Sequence, residues 1–192
     1  LFLNPLYIDV TAVPEAEKCA ALQKYMQSKP FVSALKKVRT ERLVDYKAVA
    51  KLKKKAFELL FEDFKNAADD RRASFKSFCE KGGRDLQTAA LYQALADYFV
   101  GKKKSFGFKS WGKQYASPDT PASLKFAEEQ AEKITYYKYL FWLADEQFQA
   151  ASAESDNQGL AVGLYQDLAV GVAGESAETW GNQELFALGL SI

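Results

Sequence analysis

Leu160-Ala161-Val162-Gly163-Leu164-Tyr165, with Gln166-Asp167 directly behind it, is the stretch on which the fold turns. The run has strand length and no polar face, the pattern of a strand buried on both sides. Ahead of it, Leu124, Ala127, Ala131, Ile134, Tyr137, Phe141, Ala144, Phe148 and Ala151 recur every three or four residues. That period predicts one helix of roughly eight turns at ~3.6 residues each. Thr120-Pro121 supplies an N-cap and a first-turn proline, and Gly159 follows the end. A helix feeding a two-sided buried strand predicts a parallel sheet, with Asp167 just past the strand's C-terminal end.

Upstream the chain reads as helical. Pro14 suits a first helical position, Glu15 to Gln27 favours helix, and Lys29-Pro30 breaks it. A long helix starts at Asp45, with Val49, Leu52, Ala56, Leu60, Phe64 and Ala67 on one face. Another covers about Arg71 to Glu80 and stops at Gly82-Gly83, and a third runs from Asp85 to about Val100. Leu6 to Val10 is a second short strand candidate. The expected fold class is therefore mainly α-helical with a few short strands. Two strands make a poor sheet, so a larger sheet supplied from outside this chain is expected.

Composition narrows the function classes. The 192 residues are 48% hydrophobic with 14 Phe and 10 Tyr, enough for a sizeable core. Histidine is absent, which excludes Ser-His-Asp and Cys-His nucleophile pairs within these residues and any His-based metal site. Cys19 and Cys79 fit no metal spacing and read as reduced thiols, so a cytoplasmic location is expected. No signal peptide or membrane span is expected either. Leu1-Phe2-Leu3 and Leu188-Gly189-Leu190-Ser191-Ile192 are both apolar, which suggests a piece cut from a longer chain. Charge is uneven in the same sense. Residues 36–55 hold nine Lys or Arg against Glu41 and Asp45, whereas after Lys138 eight acids follow and no base.

Several blocks resemble one family. Gly163-Leu164-Tyr165-Gln166-Asp167-Leu168-Ala169-Val170-Gly171-Val172-Ala173, Ser176-Ala177-Glu178-Thr179-Trp180 and Glu184-Leu185-Phe186 are similar to the 4-alpha-glucanotransferases (amylomaltases, glycoside hydrolase family 77). Trp142-Leu143-Ala144-Asp145-Glu146-Gln147-Phe148 and Asn4-Pro5-Leu6-Tyr7-Ile8-Asp9 resemble two further family blocks, in family order. Gln166 departs from the Arg common among close relatives.

The resemblance implies part of a (β/α)8 TIM barrel carrying a large helical insertion, with active-site groups at strand C-terminal ends. It places residues 1–11 at a barrel strand or loop end, 12–118 in the helical insertion, and 119–192 as long helix, barrel strand and loop. It implies retaining transfer of α-1,4-glucan segments between maltodextrins, from maltooligosaccharides or glycogen- or starch-derived glucan. Cofactor, nucleic acid and membrane are not part of that reading, and the remainder of the barrel is the missing partner. The family's nucleophile (Arg-Ile-Asp-His), acid/base (Gly-Glu-Asp) and transition-state Asp (His-Asp) blocks do not occur in residues 1–192. No residue of this chain is therefore expected to be catalytic, and the piece alone is expected to be inactive.

Two residues are candidate substrate contacts. The resemblance implies that Asp167 borders the donor site, where it orients an arginine or a sugar hydroxyl; the competing reading is a carboxylate that caps the next turn. Trp180 offers a ring to a glucose, or it belongs to the core. Glu175 and Glu178 read as loop charges rather than an acid/base pair, and Asn4 as a turn brace. A rival function rests on Lys102, Lys103, Lys104, Lys109 and Lys113 interleaved with Phe106, Phe108, Trp111 and Tyr115. That pattern suits a helical nucleic-acid-binding or protein-interaction module, or a lysine-rich surface loop pinned by its aromatics.

Overall fold

The computed structural model describes residues 2–165 and 171–187. Seven α-helices order these residues: α1 (Ala20–Gln27), α2 (Lys29–Thr40), α3 (Tyr46–Phe64), α4 (Asp69–Gly101), α5 (Pro121–Glu129), α6 (Ala131–Asn157) and α7 (Ala177–Gly181). Short 3-10 turns fill several connections.

Local chemistry explains most boundaries. Asp45 caps α3 by accepting the Ala48 N–H at 3.0 Å, and Thr120 caps α5 through the Ser123 N–H at 3.2 Å. Lys29-Pro30 starts a helix instead of ending one. Ser28 accepts the Phe31 N–H at 3.4 Å, and the proline sits in the first turn of α2. Helix α4 is two helices joined at Gly83, whose φ of 47° and ψ of −133° are non-helical. The eight-turn helix expected from Thr120 is interrupted at Gln130 (φ −115°, ψ 28°). Around that break Ser123 and Phe126 face inward while Leu124 is 51% exposed, so the expected apolar face does not run unbroken.

The expected strands do not form. Among the described residues there is no strand, which corrects the helical-plus-strands fold class. Residues 5–7 and 10–12 are 3-10 turns, organised by Pro5 and by the side chains of Asn4 and Asp9, which accept the Leu6 and Thr11 N–H groups. Leu160 to Tyr165 is irregular and open to solvent: Val162 is 81% exposed and Tyr165 87%. Gly159 (φ 71°) and Gly163 (φ 67°) are left-handed, and the Gly163 N–H bonds back to Leu160 O at 3.2 Å. This is a turn, not an extended path. A strand also needs a neighbour for its ladder, and none lies beside it among the described residues.

The chain divides into two compact units. One comprises Leu3–Ser77 and Tyr139–Glu154; the other comprises Leu1–Phe2, Phe78–Lys138 and Ser155–Ile192. The first has a core of Ile8, Leu22, Leu60, Tyr139, Trp142 and Leu143, each at most 2% exposed. The second is built on Leu86, Tyr92, Leu95, Trp111 and Trp180, each at most 1% exposed.

Candidate functional site

Residues 171–187, which hold most of the C-terminal family blocks, lie against the 102–117 loop in one unit. Ser176 caps the short α7 by accepting the Thr179 N–H at 3.2 Å. The Thr179 hydroxyl donates to Ala173 O at 2.7 Å, closing the turn before the helix. The Tyr92 hydroxyl donates to Glu175 O, and Gln183 Nε2 donates to Ala116 O. The Trp180 indole N–H donates to Tyr115 O at 2.9 Å. Gly107 admits the closest approach: a Cβ there would fall 1.5 Å from Glu175 Oε2, so only glycine fits without displacing that side chain.

Trp180 is 0% exposed, with its ring centroid 5.7 Å from Tyr92 and 6.0 Å from Trp111. The buried ring anchors the loop. Asp167 lies outside the described residues. Burial, with the Glu175 charge adding to it, pushes the Tyr92 phenol up to about 12, so the hydroxyl keeps the proton it donates.

The 102–115 loop turns Trp111 and Phe108 inward, while Phe106 is 50% exposed and Tyr115 half-buried. Trp111 is 1% exposed and stacks on Phe99 (5.5 Å, interplanar 15°), and Phe108 is 6% exposed. Lys102 and Lys104 lie over Tyr98 (4.2 Å) and Phe99 (5.0 Å). Trp111 and Phe108 are thus occupied in the core and offer no face to a base. Glu175 packs over Gly107 and Glu178 stands in the first turn of α7. Among the described residues no cluster of three or more Cys, Asp or Glu could hold a metal ion, and no helix is long and apolar enough to cross a membrane.

The other unit joins the two remaining motif blocks. Gln147 clamps the Asp9 backbone twice, Oε1 accepting its N–H and Nε2 donating to its carbonyl, both at 2.8 Å. Lys53 Nζ reaches Ile8 O at 2.8 Å and also bonds Leu6 O. A cavity of about 300 Å³ opens where the blocks meet, between Tyr7, Ile8, Ala144 and Phe148. Asn4 accepts the Leu6 N–H at 3.0 Å and braces the turn. Beside this lies an ion network that sequence reasoning missed. Arg71 Nε donates to Glu15 at 2.6 Å, Nη1 donates to Glu146 at 2.7 Å, and the guanidinium sits 4.2 Å over Trp142. Burial alone would lower the Arg71 pKa; the hydrogen bonds to both carboxylates outweigh it and raise it above its ordinary value. The four-residue spacing of Trp142 and Glu146 was legible, but Glu15 and Arg71, 56 positions apart, carry no local signal.

The family profile described as 4-alpha-glucanotransferase (glycoside hydrolase 77) matches residues 1–192, so this chain belongs to that family. It is 27% identical to the 4-alpha-glucanotransferase of Haemophilus influenzae over 200 residues, covering 100% of this chain and 28% of that protein. For the Mycobacterium tuberculosis enzyme the figures are 26% over 192 residues, 99% and 25%. For that of Thermus thermophilus they are 27% over 146 residues, 76% and 28%. The chain thus spans about a quarter to a third of the length of the curated relatives it matches.

Proposed function

We propose that the protein to which these residues belong transfers α-1,4-glucan segments between maltodextrins with retention, and that this chain shapes the glucan cleft without carrying its catalytic carboxylates. The observation that carries the reading is the family match along the whole of residues 1–192. Support comes from the chemistry: a retaining transferase needs a nucleophile and an acid/base carboxyl, and the blocks that hold them in this family do not occur here. Glucans of the maltooligosaccharide, glycogen or starch type are the substrates this reading implies, in a soluble protein of the cytoplasm.

Within the reading, Asp167 borders the donor site and orients an arginine or a sugar hydroxyl. Residues 171–187 hold the loop behind it. Gly171, Ala173 and Gly174 are exposed, so their backbone is open to a ligand. Trp180 acts as a positioning residue, from the interior.

The test uses the full-length polypeptide and residues 1–192 separately, with maltotriose as donor and acceptor. The full-length protein yields glucose and longer dextrins, and residues 1–192 yield neither. Asp167→Asn in the full-length protein lowers kcat by at least about tenfold, a loss of about 1.4 kcal/mol of transition-state stabilisation. Turnover by residues 1–192 alone would sink the assignment of the chemistry elsewhere.

A further inference from the structure

Gly107 is buried, and its φ of −78° and ψ of 144° are open to any residue, so glycine is required there for space alone. Glu175 fills that space. A Cβ on Gly107 would lie 1.5 Å from Glu175 Oε2, 2.5 Å from its Cδ and 2.9 Å from its Cβ, so the side chain lies along the glycine for most of its length. Tyr92 fixes the backbone of the same residue by donating its hydroxyl to Glu175 O. The carboxylate held in this way has no hydrogen bond and no ion pair among the described residues. Its oxygens keep their full capacity to accept hydrogen bonds.

Phe106, next to Gly107 in the chain, is 50% exposed, and its ring meets Tyr92 edge-on at 5.8 Å. Tyr92 therefore supports both groups, Phe106 through its ring and Glu175 through its hydroxyl. An apolar ring beside a free carboxylate fits a ligand with an apolar face edged by hydroxyl donors, as a pyranose has. A cation fits less well, because Lys102, Lys103, Lys104, Lys109 and Lys113 share the loop with no acid among them. An anion is repelled by Glu175 itself.

We infer that Phe106 and Glu175 form a glucosyl-binding subsite. The ring carries the C–H face of one glucose unit, and the carboxylate accepts hydrogen bonds from its hydroxyls. Gly107 is the positioning residue that seats the carboxylate. The subsite presupposes the glucan-transfer reading given above.

The experiment measures initial rates of the full-length polypeptide with maltotriose and with maltoheptaose. Glu175→Gln keeps the side-chain shape and removes the charge, and Phe106→Ala removes the ring. Each raises KM about tenfold for at least one of the two sugars, with a much smaller change in kcat. Phe106→Trp, which restores an aromatic face, recovers most of that loss. Gly107→Ala raises KM in the same way and adds little to Glu175→Gln in the double variant, because both act through one carboxylate. The thermal midpoint of Glu175→Gln matches the parent, since the carboxylate has no protein partner to lose. An unchanged KM in Glu175→Gln or in Phe106→Ala overturns the inference, as does a loss confined to kcat. So do a lowered midpoint in Glu175→Gln, a Phe106→Trp variant as poor as Phe106→Ala, or effects of Gly107→Ala and Glu175→Gln that multiply. If the unsubstituted protein converts neither sugar, the glucan reading itself falls, and the subsite with it.

Discussion

Tyr92 and Tyr139 each lie in the core of one of the two units and meet different fates. Each is almost wholly buried, at 1% and 0% exposure. Tyr92 donates its hydroxyl to Glu175 O and so ties the core to the family loop. The Tyr139 hydroxyl has no hydrogen-bond partner among the described residues, although its ring packs on Phe64 at 4.8 Å and Phe61 at 5.5 Å. Burial, with the carboxylate of Glu15 adding to it, drives its pKa well above the ordinary phenol value. One unit uses its tyrosine as a polar tether and the other as a ring. Their tryptophans differ in the same sense: Trp180 donates across to Tyr115, while Trp142 lies under the Arg71 guanidinium.

Substitution breaks that comparison most sharply at the tryptophan tether. Trp180→Ala removes a fully buried ring and its hydrogen bond; it destabilises by about 3–5 kcal/mol and frees residues 171–187 to proteolysis. Denaturant titration with limited digestion reads both, and a stability loss without loop cleavage would deny Trp180 its anchoring role. In the other unit Arg71→Met strands Glu15 and Glu146, at 10% and 29% side-chain exposure. The loss is about 3 kcal/mol, and adding Glu15→Leu and Glu146→Leu restores most of it, because the penalty lies in the stranded charges. If the triple variant is as unstable as the single one, packing over Trp142 is what matters.

The tyrosines themselves sharpen the contrast. Tyr92→Phe costs about 1–2 kcal/mol, since it leaves a carbonyl without its donor. Tyr139→Phe is neutral or stabilising by up to about 1 kcal/mol, since it removes an unsatisfied hydroxyl. Equal losses in the two variants would mean that the Tyr139 hydroxyl has a partner.

The smallest effect is alkaline. The folded Tyr92 pKa is about 12 against the unfolded 10.0, so its contribution is whole below pH 10 and disappears as pH rises from 10 towards 12. Stability measured across that window falls less steeply in Tyr92→Phe than in the parent.

How much of this was legible varies with the range of the interaction. The Asp45 and Thr120 caps, the break at Gly82-Gly83 and the face of α3 are signals within four residues, and they were readable. Ser28-Lys29-Pro30 carries a cap-plus-proline signal like that of Thr120-Pro121, but behind a helix-favouring run the same proline also fits a helix end. Leu160 to Tyr165 has strand composition, but composition alone supplies no ladder partner, and two left-handed glycines turn it. Of the two candidate substrate contacts, Trp180 reads as a sugar platform or as a core residue, since nothing local separates the two.

By itself the sequence determined the family, through motif blocks in order, and the predominance of helix, through apolar periods and caps that act over one or two turns. It also determined the absence of histidine chemistry within these residues. Tertiary structure alone decided that Trp180 points inward to Tyr115, 65 positions away, and that Gln147 grips Asp9, 138 positions away. It alone closed Arg71 between two carboxylates. The reason is physical: a cap or a helical face is settled by neighbours along the chain, whereas the partner of a buried polar group is whichever donor or acceptor packing brings within about 3 Å.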